Sequence, residues 1–405
     1  MQYLRITARI LLGMVFIFSG FVKGIDPVGS AIKFGEYFEV FHLPWLENIS
    51  LVLSIFQSTA ELLIGICLVI GLRMKITAWA VLVFMAFFTI LTFYSAIFNP
   101  VSDCGCFGDA LVLTNWQTFY KNIFLLILAV IVFILRKNFK PYGNAFKEWI
   151  IILLFATAGS GIFIFCYRHL PLVDFRPYSV GSHIPSKMII PSGAPSDQYN
   201  TKLYYQKDGI TKEFTLQNYP WRDTTWKWVK TQSDLIKKGY TPPIHGFSIT
   251  TEGGDDLTNK VLADTGYSFI FISNDLSAVN SNLWFKVINY YEYSIINNHN
   301  FYFLTSSATE NARNTKISFK LPFDFMFTDQ TALKTIMRAN PGLMLLKDGV
   351  IIGLWHYNDF PATEYFNGSI LSKIITSYNN KNESEIIVLL IMVFVLFLVV
   401  LIKFK

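Results

Sequence analysis

Cysteine is scarce in this chain, with four residues in 405. That excludes the disulfide-dense scaffolds of small secreted domains. It also leaves poor material for a zinc site, because the two neighbouring sulfurs, Cys104 and Cys106, come without a C-x-x-C or a histidine pair. His42 and the flanking aspartates Asp103 and Asp109 are the only other donors within reach, so no metal is expected. Charge is scarce too: 15% of residues are Asp, Glu, Lys or Arg, against about a quarter in soluble domains. Repeats, phosphate loops, catalytic triads and metal-binding helix motifs are missing, and the acidic "DDLTNKVLAD" lacks the spacing of a calcium loop. The net charge of +6 is no argument for nucleic acid, because the basic residues sit beside hydrophobic segments.

What the chain has in excess is apolar surface, with 52% hydrophobic and 17% aromatic residues. Six segments approach the roughly 17–25 residues needed to cross a hydrocarbon core: 4–22, 51–71, 76–97, 119–135, 148–167 and 386–402. The first resembles a signal peptide, but "FSGFVKG" offers no small-x-small cleavage pattern, so it is read as retained. Arg5, Arg9, Arg73, Lys75, Arg136, Lys137, Lys140, Lys147, Lys403 and Lys405 all fall on one side, which the positive-inside rule makes cytoplasmic. Both termini then lie inside, and the loop "NPVSDCGCFGDAL" (99–111) faces outward together with the polar stretch 169–384. In a bacterium that side is the periplasm, where disulfides persist. Between the first two spans, residues 26–50 read as an amphipathic segment at the outer interface, opened by an Asp26-Pro27 helix start and carrying a Lys33 pair with Glu36 or Tyr37.

The polar stretch alternates strand and helix signals. "GYSFIFIS" (266–273) and "FYFLTSS" (301–307) read as strands, 282–298 and 331–340 as helices, and "NPGLMLLKDGVIIGLWHY" as a hairpin closed by Asp-Gly. The order, with "PPIHGFSITTEGGDDLTNKVL" before it and "ANPGLMLLKDGVIIG" after, resembles the thioredoxin-like fold of peroxiredoxins and periplasmic thiol reductases. The resemblance makes Pro341 the cis-proline. The position where such a fold carries its dithiol reads "SNDLSAVNSN" (273–282), and no cysteine occurs in residues 167–405. Dithiol chemistry in this domain is therefore excluded, and binding or docking is its expected role.

The first four spans carry a second resemblance. "RILLGMVFIFSGFVKGIDPVGSAIKFGEYF" (9–38) is similar to the opening of the DoxX family of four-helix membrane proteins. "ELLIGICLVIGLRMK" (61–75) and the C-G-C-F-G-D loop resemble DoxX's relative MauE, the methylamine-utilisation membrane protein. The resemblance implies an inner-membrane four-helix bundle and, for MauE, a part in forming or maintaining disulfides in periplasmic partners. Some DoxX relatives are linked instead to oxidation of sulfur compounds with quinone as acceptor. From the residues alone, C-x-C supports two readings: a strained, readily exchanged disulfide, or a glycine turn whose cysteines merely fasten the loop. Gly105 and Gly108 permit positive φ, and Phe107 is expected to anchor the loop at the interface.

Cys67 and Cys166 are expected to be packing residues. Cys67 lies about 24 Å below the outer surface by helical rise, too far for direct exchange, whereas Cys166 is near enough to the outer end of its span to approach the loop. Glu61 falls near the centre of the second span. A carboxyl there must face the bundle interior and find a partner; Ser58 one turn earlier and Ser19 and Lys23 on the first helix are the candidates. It is either a proton or quinone-headgroup contact or a structural interhelical bond.

These expectations combine into an α-helical membrane protein: a four-helix bundle (1–140), a fifth transmembrane helix (141–168), a periplasmic α/β thioredoxin-like domain (169–384) and a C-terminal helix (385–405). The expected function is thiol–disulfide redox on periplasmic partners, quinone-linked, with Cys104 and Cys106 as the pair and Glu61 as proton or quinone contact. The alternative is a non-enzymatic scaffold or assembly factor whose outer domain docks a partner protein.

Overall fold

A computed structural model describes residues 2–101, 103–139, 143–237 and 239–377. The expected segment 386–402 lies outside the described residues, as does Lys140. Among the described residues five helices are long and apolar enough to cross a membrane, within Tyr3–Ile25, Pro44–Ile70, Met74–Phe98, Asn115–Asn138 and Ala145–Arg168. Their helical cores are α1 (Gln2–Ile25), α3 (Ser50–Ile70), α4 (Met74–Phe98), α5 (Asn115–Ile134) and α6 (Ala145–Arg168). Between α1 and α3 runs α2 (Pro27–Val40), whose N-cap Asp26 accepts from the Gly29 amide and whose N1 residue is proline. Large apolar side chains such as Phe56, Phe87 and Ile90 point outward, as lipid-facing helices require.

The closest approach in the bundle is α1 against α3. A Cβ added at Gly20 would sit 2.5 Å from the Leu62 amide nitrogen, and one at Gly65 would sit 2.6 Å from that of Ile17. Helix contacts in lipid rest on packing by small residues, because apolar side chains gain nothing by leaving the lipid. Here they bring the polar residues of α1 within reach of those of α3. At α4–α5, Asn122 Nδ2 donates to Thr92 Oγ1 at 3.1 Å. Asn115 Nδ2 donates to the Val101 carbonyl at 3.0 Å and so ties the start of α5 to the cysteine loop.

Two compact units emerge. One is residues His183–Gly246; the other joins the bundle with the chain from Phe247 onward. The smaller unit falls within the stretch that follows the fifth apolar helix. It holds the short helix α7 (Ile184–Met188) and an antiparallel sheet in order β2 (Ile210–Thr215), β1 (Gln198–Lys207), β3 (Lys227–Lys237).

The rest of that stretch forms an α/β layer structure. After α8 (Thr258–Leu262), β4 (Tyr267–Ser273) leads through α9 (Ser281–Ile296) to β5 (Asn300–Thr305), parallel to it. Then come α10 (Thr309–Phe319), the short parallel edge strand β6 (Phe325–Phe327), α11 (Gln330–Ile336) and the antiparallel hairpin β7 (Gly342–Lys347), β8 (Val350–His356). The sheet order is β6-β5-β4-β7-β8. The turn of the hairpin has Asp348 and Gly349 at φ 50° and 68°, the pair of positive values that matches the twist of tight hairpins. β4 is buried almost throughout, and its Phe269 and Phe271 pack with Trp284, Phe303 and Phe366. The Asn340–Pro341 peptide is cis.

Candidate functional site

The loop after α4 begins where Asn99 takes φ 44° and turns the chain back. Asp103 Oδ1 accepts from the Gly105 amide at 2.9 Å, and the Gly108 amide donates to the Gly105 carbonyl at 3.1 Å. Gly105 and Gly108 have φ of 64° and 51°, a region in which side chains are disfavoured. This fold brings Cys104 and Cys106 to the same side of the loop, as thiols with sulfurs 3.5 Å apart. Phe107 is not exposed as an anchor would be. It is buried against Phe18, with ring centroids 5.4 Å apart, and Lys121 Nζ of α5 sits 4.3 Å from its ring centre. The bundle offers the ring an apolar slot capped by a cation, which outweighs an exposed position among headgroups.

Beneath the thiols is a cavity of about 280 Å³. Its walls are mostly aromatic and aliphatic, including Phe34, Phe84, Phe88 and Leu91; its polar lining includes Ser19, Lys23, Gln57, Glu61, Tyr37 and Lys121. Cys104 and Cys106 both line it. Cys67 does not: it is buried with Ile66, Ile70 and Leu72 elsewhere in the bundle. Cys166 is buried in α6 and does not line it either. His42, at the end of α2, is also outside the lining, and among the described residues no three His, Cys, Asp or Glu cluster as a metal site would need.

Glu61 is 2% exposed and turns toward α1. It forms an ion pair with Lys23, accepts from Gln57 Nε2 at 2.8 Å and lies 2.7 Å from Ser19 Oγ. Ser19 Oγ also lies 2.8 Å from the Cys106 carbonyl oxygen. One hydroxyl proton thus faces two acceptors, and Ser19 links the buried carboxyl to the backbone of the thiol loop. Ser58, expected as a partner, is not one; its buried hydroxyl has no hydrogen bond. The α1 side supplies a full positive charge, a stronger attraction for a carboxylate than a neutral hydroxyl on its own helix. Gln57, four residues before Glu61 and on the same helical face, is a partner the sequence reading passed over.

The two thiols are not equivalent. The hydrogen bond from Cys104 lowers the pKa of Cys106 first; Lys121 and Lys23 add to this, against burial and Glu61, bringing it to about 6. Cys104 is raised by the same bond and by burial. The proton between the sulfurs therefore belongs on Cys104, because Lys121 acts on both thiols and Lys23 on Cys106 alone. Burial, with the Cys104 thiol beside it, pushes the Tyr37 phenol upward as well; its hydroxyl lies 3.1 Å from Ser95 Oγ.

In the α/β layers, the stretch 273–282, where the resemblance expected a dithiol position, opens with Ser273 at the end of β4. Its Oγ donates to Asn340 Oδ1 at 2.6 Å, and Asn340 Nδ2 donates to the Asp275 carbonyl at 2.8 Å.

The helices and the loop define a multi-pass membrane protein with a paired-thiol site at one mouth of its bundle. Residues 1–135 match the family model of the methylamine utilisation protein MauE, so the membrane part is MauE-like. Residues 199–238 match a domain of unknown function, DUF8463, which covers most of the three-stranded sheet. Among curated proteins the chain is similar to Protein TlpB of Flavobacterium psychrophilum, 31% identical over 148 residues, which is 35% of this chain and 40% of that protein. The chain thus spans two-fifths of the length of this relative. No solved structure matches.

Proposed function

We propose that the chain is an inner-membrane thiol–disulfide oxidoreductase of a bacterium, passing electrons from thiols of periplasmic partner proteins to quinone. The carrying observation is the pair of thiols, 3.5 Å apart, that lines an apolar cavity next to a buried Lys23–Glu61 pair. In the oxidised state a partner thiolate attacks Cys104 Sγ and Cys106 leaves as a thiolate, the better leaving group because Lys121 and Lys23 stand beside it. The partner's second thiol then attacks the mixed disulfide and releases Cys104 as a thiol. The partner gains a disulfide, and two electrons and two protons now reside on the C-x-C pair and its surroundings.

Reoxidation closes the Cys104–Cys106 bond and sends the same two electrons and two protons onward. The cavity fits a flat apolar ring: its volume is near the lower end for small-molecule sites, its walls are aromatic and its polar residues include Lys23, Lys121 and Glu61. Bound there, a quinone would supply the acceptor for both electrons and both protons. Glu61 places a carboxylate beside the cavity, Lys23 and Gln57 keep it oriented, and Ser19 can shift its own hydrogen bond between Glu61 and the Cys106 carbonyl as protons pass.

The basic residues at the opposite helix ends support cytoplasmic termini and a periplasmic site. The division 1–140, 141–168, 169–384, 385–405 stands as part of this proposal, with 183–246 as an insert in the third part. The parallel β4–α9–β5 unit followed by the β7–β8 hairpin supports a thioredoxin-like third part. Its Ser273–Asn340 contact where thiols would stand favours a second reading, a scaffold that docks a partner protein. The deciding experiment is alkylation trapping with intact mass on the purified chain, before and after mild reductant and with a soluble quinone. An easily reduced Cys104–Cys106 bond that re-forms with quinone, and is lost in Cys104→Ser and Cys106→Ser, supports the redox reading. Thiols that stay free under quinone refute it, and a stoichiometric partner in co-purification would then favour the scaffold.

A further inference from the structure

The two aspartates that bracket the cysteines are each held by a cation from outside the loop. Asp103 Oδ2 lies 3.1 Å from Lys33 Nζ, which also holds Glu36 at 3.0 Å. Burial works against the Lys33 charge, but Asp103 and Glu36 outweigh it and raise its pKa. Asp109 Oδ2 lies 3.1 Å from Arg338 Nη2. Arg338 comes from the α/β layers, two residues beyond the end of α11, and its side chain is 7% exposed. Its Nε donates to both oxygens of Asp26, at 3.1 and 2.9 Å. One guanidinium therefore joins the N-cap of α2 to the thiol loop, in the forked geometry that only arginine offers. The site is cleared for it: a Cβ at Gly29 would lie 2.8 Å from Arg338 Nη2. It is also braced from behind, since buried Arg176 pairs with Asp174 at 2.6 Å and donates to the Ile336 carbonyl at 3.1 Å.

The arrangement has two sides. Cys104 and Cys106 line the inner cavity. On the outer side Gly105, Gly108, Asp103 and Asp109 line a polar groove of about 870 Å³ whose other walls include α2, Lys334 and Arg338. With both aspartates held, the loop presents backbone to the groove and thiols to the cavity.

We propose that Arg338 is a positioning residue of the thiol site: the cysteine-free α/β domain serves the membrane bundle by clamping Asp109 to Asp26 and so keeping Cys104 and Cys106 turned toward the cavity. This rests on the reading that these two cysteines are the working pair, and it gives a domain without thiols a part in thiol chemistry. A protein partner entering the groove would meet the sulfurs only when the clamp opens, so the clamp separates the partner-facing state from the cavity-facing one.

The test uses the full chain, reduced and purified in detergent, with a bulky charged maleimide and peptide mass mapping at Cys104 and Cys106. Arg338→Leu is expected to speed modification about tenfold or more, as loss of a charge-assisted bond opens a local segment. It is also expected to move the pH midpoint for Cys106 away from about 6, because the displaced loop leaves Lys121 and Lys23, which lower it, together with the burial and Glu61 that raise it. Arg338→Lys should restore part of both effects, and Asp109→Asn, which keeps the Arg338–Asp26 pair, should show an intermediate one. Arg313→Leu, which removes an exposed pair with Glu252 in the same domain, should change neither. Unchanged rates and midpoints in folded Arg338→Leu overturn the proposal; if that variant does not fold, unchanged values in Asp109→Asn overturn it. The assay contains neither quinone nor partner, so redox-inert cysteines whose alkylation responds to Arg338 would sink the oxidoreductase reading and leave the clamp standing.

Discussion

Lys23 and Glu61 offer the sharpest quantitative test, because a buried ion pair has an asymmetric response to mutation. Glu61 is 2% exposed and Lys23 9%, both inside the bundle. Replacing Lys23 by Met leaves a carboxylate supported only by Gln57 and Ser19, and replacing Glu61 by Met leaves an ammonium with no partner among the contacts of that pair. Breaking such a pair from one side costs about 3–5 kcal/mol. Removing both at once leaves no charge, and apolar replacements of buried pairs are often near neutral. Taking the lower end for each single variant, the sum is about 6 kcal/mol while the double variant is near zero, a coupling of about 6 kcal/mol. The assay is denaturant unfolding of reduced wild type, Lys23→Met, Glu61→Met and the double variant in one detergent, followed by helical circular dichroism. A double variant equal to the sum of the singles within about 0.5 kcal/mol would mean the two charges do not share a dry site, and the account of the polar centre would be wrong. The double variant then serves a second purpose. If it folds and still re-forms its disulfide with quinone at the wild-type rate, Glu61 has no part in proton handling.

Three further outcomes are expected. With Cys104 replaced by Ala, which has no donor, the Cys106 alkylation midpoint should rise toward the ordinary thiol value, since its first stabilising bond comes from Cys104; iodoacetamide rates against pH report it. In the reduced wild type, the lowered Cys106 pKa of about 6 makes its thiolate the dominant form expected at pH 7, against about 3% for an ordinary thiol with pKa near 8.5. The sign is that reactivity falls as pH drops through about 6; a curve centred near 8.5 would refute it. Gly20→Val should force α1 and α3 apart, because its Cβ meets the backbone at Leu62 and Ser58 rather than a mobile side chain. A loss of about 1–3 kcal/mol is expected in the same unfolding assay, and an unchanged stability would mean the helices do not meet there.

Much of the site was legible from the chain because its signals are local or obligatory. Two glycines around paired cysteines announced a tight loop, an acid in an apolar span demanded a partner, and Ser19 and Lys23 were the polar residues available on the neighbouring helix. The Asp26 cap, the Lys33–Glu36 pair and the Asp348-Gly349 turn were readable for the same reason. Lys121 and Arg338 were not, since their roles depend on which helix face and which domain loop meet the cysteines in space. Phe107 went the other way, because an aromatic beside a membrane has two apolar destinations and sequence does not rank them. The unit 183–246 lacks a strong apolar period: its strands are largely exposed, so nothing in the pattern separated it from the domain around it.

The α1–α3 contact also bears on how the protein is made. Lys23 belongs to a helix made before the one that carries Glu61, 38 residues further on, with α2 between them. Until α3 has entered the bilayer, α1 carries an unneutralised ammonium near one of its ends, and α3 in turn arrives with a carboxyl that has no counter-ion. Each helix is thus a poor guest of the membrane alone and a good one only beside the other. Nascent chains should therefore commit to the bilayer in a pairwise step, with the close α1–α3 approach at Gly20 and Gly65 holding the pair together.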